Sequence, residues 1–221
     1  MDELLKALEN LNAELVRDDI VLNLNIVVGF SLFLQNLDIE VRPSHDIDAM
    51  SRLTDDVKKR VRDIGEELDI DLRWLNDDIL SLYDEFEFAG IHPEQLRFGP
   101  NSRIDFSNIH LNVIDISDFV RLKLFSIFMD VHDFMQYNKS FDREQDLQDI
   151  KTIVEISDID HTVILNSITS HVQGDKYGAL TQALIDTYLD SPLSNLQIND
   201  FLKEGRWNIQ KVPLPRASLV Q

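Results

Sequence analysis

The stretch LNLNIVVGFSLFL, residues 22–34, decides how this chain folds. Leu22, Leu24 and Ile26 alternate with Asn23 and Asn25, a period of two that makes a strand with one apolar and one polar face. Val27 and Val28 continue the apolar run, as a strand does on entering a buried sheet. Gly29 ends the strand, and the residues from Phe30 onward can start a short helix at once. Glycine at such a junction lets backbone amides come close to a phosphate, and Ser31 offers a hydroxyl beside it.

On the N-terminal side, Leu4, Leu5, Leu8, Leu11 and Leu15 recur at helical spacing, so residues 3–17 read as an amphipathic helix that packs on the strand. On the other side, Pro43 bars a helix through residues 38–50, and the alternation after it predicts a second strand carrying Asp46 and Asp48. Residues two apart on a strand face the same way, so both carboxylates would project from one face while Ile47 points into the core. Carboxylates so close repel unless one takes up a proton or a cation sits between them. A hard divalent ion such as magnesium suits such a pair, because it takes a few carboxylate oxygens and keeps positions for water or phosphate. The plainer reading is a solvated strand end. A helix-loop-helix calcium site would need an oxygen ligand at Met50 and glycine at Ser51. A phosphatase of the haloacid dehalogenase type would place its aspartates directly after an apolar strand, whereas Pro43, Ser44 and His45 precede these.

Further along, TDDVKKRVRDIGEEL (54–68) predicts a helix, with Thr54 as N-cap, Asp55 and Asp56 at the positive end of its dipole, and Val57, Val61, Ile64 and Leu68 in one stripe. Residues 71–116 break into shorter pieces: DLRWLND, a helix near 78–88, then strand candidates in EQLRFG, SRIDFS and IHLNVIDI, with a turn signal at Gly99-Pro100-Asn101. From Ser117 the strand signals stop and helical periodicity takes over. These shifts predict a mixed α/β region over 1–116, a helical region over 117–205 and an irregular tail over 206–221.

A formal charge of -19, from 40 acidic and 21 basic residues, repels polyanions, so long duplex nucleic acid is a poor partner. The chain has no cysteine, which excludes disulfides, thiolate zinc sites and a cysteine nucleophile. Its opening, MDELLKALENLNAELVRDD, carries acids where a secretory signal carries bases, and no later segment has the run of about 20 apolar residues that a spanning helix needs. These features lead us to expect a cytoplasmic protein with no membrane partner. The six histidines form no metal pattern.

Lys123 lies among apolar neighbours in FVRLKLFSIFM. Lysine goes inside only with a partner, or else its ammonium reaches back to solvent. A fixed lysine here would neutralise phosphate charge. In REQDLQDI, Arg143, Asp146 and Asp149 recur every three residues and share a helical face, which local pairing and the helix dipole also explain.

Taken in order, VVGFSLFL, RPSHDID, RLKLFS and REQDLQDI resemble the nucleotidyltransferase superfamily, nearest to bacterial proteins related to the abortive-infection (AbiEii) toxins. RWLND also resembles a segment of those relatives, and the likeness covers roughly residues 20–155. Phe30 stands where that family usually has a second glycine or a serine. The resemblance implies an α+β fold: a nucleotidyltransferase-like mixed sheet flanked by helices, followed by a C-terminal helical region. It implies that Gly29 and Ser31 lie by the nucleotide phosphates and that Asp46 and Asp48 bind catalytic Mg2+. Arg42 and Ser44 would support that strand, Lys123 would contact phosphate, and Asp146 would lie at the edge of the site, positioned by Asp149. Among Asp71, Asp105 and Asp115, order after the helix selects Asp71 as the third metal carboxylate. The implied reaction moves a nucleoside monophosphate from a nucleoside triphosphate to an acceptor, such as a small molecule, a protein or an RNA end. The alternative is a catalytically silent member that binds a basic protein, as in a toxin-antitoxin pair. The sequence is also compatible with a homodimer.

Overall fold

A computed structural model describes residues 2–35, 44–101, 103–172 and 175–210. The chain divides into two compact units, Met1–Leu122 and Lys123–Gln221. The expected boundary near residue 116 corresponds to the start of helix α5 (Ile116–Tyr137), which begins in the first unit and continues into the second.

The first unit is built on a five-stranded mixed sheet in the order β3-β2-β1-β5-β4. Its strands are β1 (Leu22–Val27), β2 (Ile47–Ala49), β3 (Leu75–Asn76), β4 (Phe98–Pro100) and β5 (Ile109–Ile114). The central strand β1 runs parallel to β5 and antiparallel to β2. Strand β2 in turn runs parallel to β3, and β4 closes the other edge antiparallel to β5.

Alternation gives this sheet two unlike faces. Leu24, Ile26, Ile47, Ala49, Leu75, Leu111 and Val113 belong to the apolar core, with helices α1 (Asp2–Arg17) and α3 (Asp55–Leu68) packed against them. The α1 stripe of Leu4, Ala7, Leu8, Leu11 and Leu15 is buried, as its spacing predicts. Thr54 caps α3 by accepting from the Val57 amide at 3.3 Å, and Val57, Val61 and Ile64 face inward. Trp74 is fully buried in this core and its indole N–H donates to the Val61 carbonyl at 2.8 Å. The opposite face carries Asn25, Asp48, Asn76 and Asn112 from four adjacent strands, and Asn112 Nδ2 donates to Asn25 Oδ1 at 3.1 Å.

Several local expectations are corrected. Helix α2 (Val28–Leu34) starts one step before Gly29, so Val28 leaves the strand. Gly99 and Pro100 lie within β4 rather than in a turn. That strand is the sheet edge, where a residue without an N–H costs no ladder bond. SRIDFS does not form a strand over its described part, 103–107, because Asn101 Oδ1 accepts from the amides of Arg103 (3.1 Å) and Ile104 (2.8 Å) and curls the chain. Between β3 and β4 lie a tight turn of helix at Asp78–Leu82 and helix α4 (Tyr83–Phe88), where a helix is expected.

The second unit is helical: the rest of α5, then α6 (Glu144–Ile156), α7 (His161–His171), α8 (Asp175–Asp190) and α9 (Asn195–Gln210). Helix α9 runs past 206, where an irregular tail is expected; residues 211–221 lie outside the described residues. Asp160 caps α7 by accepting from the Thr162 and Val163 amides.

Candidate functional site

The junction after β1 and the segment leading into β2 meet in space. The antiparallel register sets Val27 opposite Asp48 and Ile26 opposite Ala49, which places the aspartate strand beside the end of β1. A side chain at Gly29 would put its Cβ 3.1 Å from Ser44 Oγ and 3.7 Å from Ser44 Cβ. A side chain here would therefore press on Ser44, which would have to give by a few tenths of an ångström. Ser44 Oγ donates to the Asp46 carbonyl at 2.8 Å and holds a bend just ahead of β2. The Ile47 amide then donates to the Trp74 carbonyl at 2.7 Å, which locks β2 onto the chain entering β3.

Asp46 consequently lies in the bend and Asp48 in the strand, whereas the alternation predicts both in one strand. Both are half-buried, and Ile47 between them is fully buried. Phe30 turns into the core at 1% exposure, its ring centroid 5.6 Å from that of Phe33. Ser31 is fully buried, so its hydroxyl does not face solvent. Arg42 lies outside the described residues.

Asp71 does not stand beside the pair. It is exposed in the turn ahead of β3, where its Oδ1 accepts from the Arg73 amide at 2.7 Å and its carbonyl from the Trp74 amide at 3.1 Å. The residue in register with Asp48 on β3 is Asn76. The sequence marks RWLND only as a segment of the resemblance, and neither the short strand within it nor Asn76 was expected. Asp105 is exposed. Asp115 is engaged elsewhere: Arg97 Nη2 donates to it at 2.7 Å while Arg97 Nε bonds Asp118 at 2.9 Å. Burial pushes the Asp115 carboxyl up, but hydrogen bonds from Ser117 and the Arg97 charge outweigh it and leave its pKa below the ordinary value.

A cleft of about 240 Å³ opens beside Asn76, lined among others by Lys58, Arg62, Arg73 and Asp77. Lys58 Nζ lies 2.8 Å from Asp77 Oδ1, and Asp77 Oδ2 accepts from the Leu53 amide at 2.9 Å. Burial raises the Asp77 pKa, and these partners more than reverse that, so it sits below the usual carboxylate value. Arg73 pairs with Asp78.

The second unit joins residues that the sequence marks separately. Lys123 Nζ, on α5, lies 2.6 Å from Asp146 Oδ1 and 2.9 Å from Asp149 Oδ2, both on α6. Their side chains are 5%, 12% and 8% exposed. Arg143 stands 3.8 Å from the other Asp146 oxygen, and Gln145 Nε2 donates to Asp149 Oδ1 at 3.2 Å. Burial lowers the Lys123 pKa, but the two carboxylates outweigh it and hold the ammonium above its ordinary value. A phosphate approaching Lys123 would meet two carboxylates that already match its charge. Within their unit Lys123, Asp146 and Asp149 form an ion cluster joining α5 to α6.

Among the described residues, no group of three or more His, Asp or Glu side chains is arranged to hold a metal ion, and no helix is long and apolar enough to cross a membrane. Asp46 and Asp48 carry carboxylate oxygens, hard donors of the kind magnesium takes, and magnesium is commonly held by one or two carboxylates together with substrate phosphates. No protein-family model, curated protein or solved structure matches this chain, so its functional reading rests on residues and geometry.

Proposed function

We propose that this chain is a magnesium-dependent nucleotidyltransferase, transferring a nucleoside monophosphate from a nucleoside triphosphate to an acceptor with release of pyrophosphate. The observation that carries this reading is the β1–β2 register, which sets Asp48 opposite Val27 and Ser44 against Gly29. A phosphate-approachable glycine and a pair of carboxylates are thereby neighbours, as the resemblance of the four ordered motifs implies. Asp46 and Asp48 would hold the ion, which when bound supplies positive charge to phosphate oxygens during in-line displacement. Ser44 positions Asp46 through its carbonyl, and Gly29 leaves room for Ser44. The strongly acidic surface favours a small or basic acceptor, or a single RNA end, over duplex nucleic acid. The lack of cysteine supports a cytoplasmic setting.

A second reading draws on Asn76, which stands beside Asp48 without a negative charge. On that reading the fold is silent and its acidic surface covers a basic protein, as in a toxin-antitoxin pair. Calorimetric titration with a nucleoside triphosphate and Mg2+ separates the two. Binding by the wild type that is lost in Asp46→Asn and Asp48→Asn supports the enzyme. No heat in any of the three, with capture of a basic partner unaffected by either substitution, supports the silent protein.

A further inference from the structure

The cleft of about 240 Å³ between α3 and β3 has a chemistry that the proposed transfer does not use. It opens where β3 forms the edge of the sheet, and neither Asp46 nor Asp48 lines it. Val61 and Leu75 supply buried apolar wall, and Leu72 adds apolar surface that is 43% exposed. Ligand sites combine such walls with a few polar groups that fix orientation.

Three bases and two acids surround the cleft. Lys58 Nζ stands 2.8 Å from Asp77 Oδ1, and Asp77 is fixed in turn by the Leu53 amide. Arg73 pairs with Asp78. Arg62, one turn after Lys58 on α3 and exposed, has no ion-pair partner among the described residues. The cleft therefore carries one uncompensated positive charge on a chain whose formal charge is -19.

A free guanidinium presents a fork of N–H donors that matches a carboxylate in two parallel bonds. A phosphate monoester, with about -1.5 to -2 charges near pH 7, would bring more charge than Arg62 neutralises and would face Asp77 and Asp78. The volume also falls below the roughly 300–1,000 Å³ of sites for drug-sized ligands, so the occupant is small. We infer that this cleft binds a small organic acid, its carboxylate on Arg62 and its apolar body against Val61, Leu72 and Leu75. Lys58 and Arg73, held by their own acids, set the walls. Gly29, Asp46 and Asp48 take no part, so such a site operates whether or not the chain transfers nucleotides.

The test titrates the full isotope-labelled chain with benzoate, withdrawing chloride to hold the ionic strength constant, and follows backbone amide shifts by NMR. Saturable shifts at Arg62, Leu72 and Leu75 with a millimolar or tighter dissociation constant are expected. Benzyl alcohol keeps the ring and lacks the charge, so it is expected to bind at least about tenfold more weakly. Arg62→Gln is expected to weaken benzoate by about the same factor, because it loses the charge-assisted pair. Asp78→Asn removes one acid and frees Arg73, an exposed pair, so it is expected to tighten benzoate about threefold, a gain that misfolding does not produce. Phenyl phosphate binding more tightly than benzoate overturns the assignment to a carboxylate. Absence of saturable shifts in the wild type and Asp78→Asn, shifts confined to residues outside the cleft, or benzoate binding that neither substitution changes overturns the site.

Discussion

Replacing Lys123 with methionine tests how the second unit is held together. The substitution keeps the apolar stem and removes the ammonium that stands 2.6 and 2.9 Å from two carboxylates. Those carboxylates are 12% and 8% exposed, so water replaces little of what is lost. Removing one partner of a buried ion pair costs about 3–5 kcal/mol. A loss of about 4 kcal/mol lowers the melting temperature of a helical unit of this size by about 15 °C or more. Urea unfolding followed by helical circular dichroism at pH 7 reads it. Asp146→Asn and Asp149→Asn added to Lys123→Met are expected to recover most of the loss. A cost below about 1 kcal/mol would refute the reasoning, since it would mean that the ammonium is solvated.

Gly29→Ala is expected to push Ser44 off the Asp46 carbonyl, because the new Cβ meets Ser44 Oγ at 3.1 Å; nucleotide affinity should fall about tenfold, and Ser44→Ala in the same chain should restore space but not the bend, which titration calorimetry of both variants checks. Leu11→Ala, at a fully buried position of α1, should cost about 2–5 kcal/mol in urea unfolding. Asp77 has a folded pKa below its ordinary 3.8, so its contribution is complete above that value and is lost as pH falls through the folded pKa; Asp77→Asn should flatten this part of the acid unfolding curve.

The elements that were legible in the sequence are those whose stability is local. The α1 stripe, the Thr54 cap of α3 and the two-residue alternation of β1 each depend on neighbours a few positions away. Where side chains capture the backbone, pattern misled. SRIDFS alternates well enough for a strand, yet Asn101 takes two of its amides. Asp46 has strand spacing from Asp48, yet Ser44 holds it in a bend. The site was half legible for the same reason. Gly29 and the aspartates stood out by type and order, but their adjacency comes from a register between β1 and β2 that only the folded sheet displays. Asn76 carries no unusual chemistry by itself and gains meaning only as the partner of Asp48. Lys123 and the Asp146/Asp149 pair were each conspicuous, but their contact joins separate helices across a sequence gap that no periodicity spans.

The most direct measurement is the position of Mn2+ in a crystal of the chain grown with a non-hydrolysable ATP analogue, read from anomalous scattering. The account requires a peak about 2.1–2.3 Å from oxygens of Asp46 and Asp48 and from the analogue's phosphates, on the Gly29 side of the sheet. Nucleotide bound elsewhere, or a manganese peak that touches neither aspartate, would contradict it.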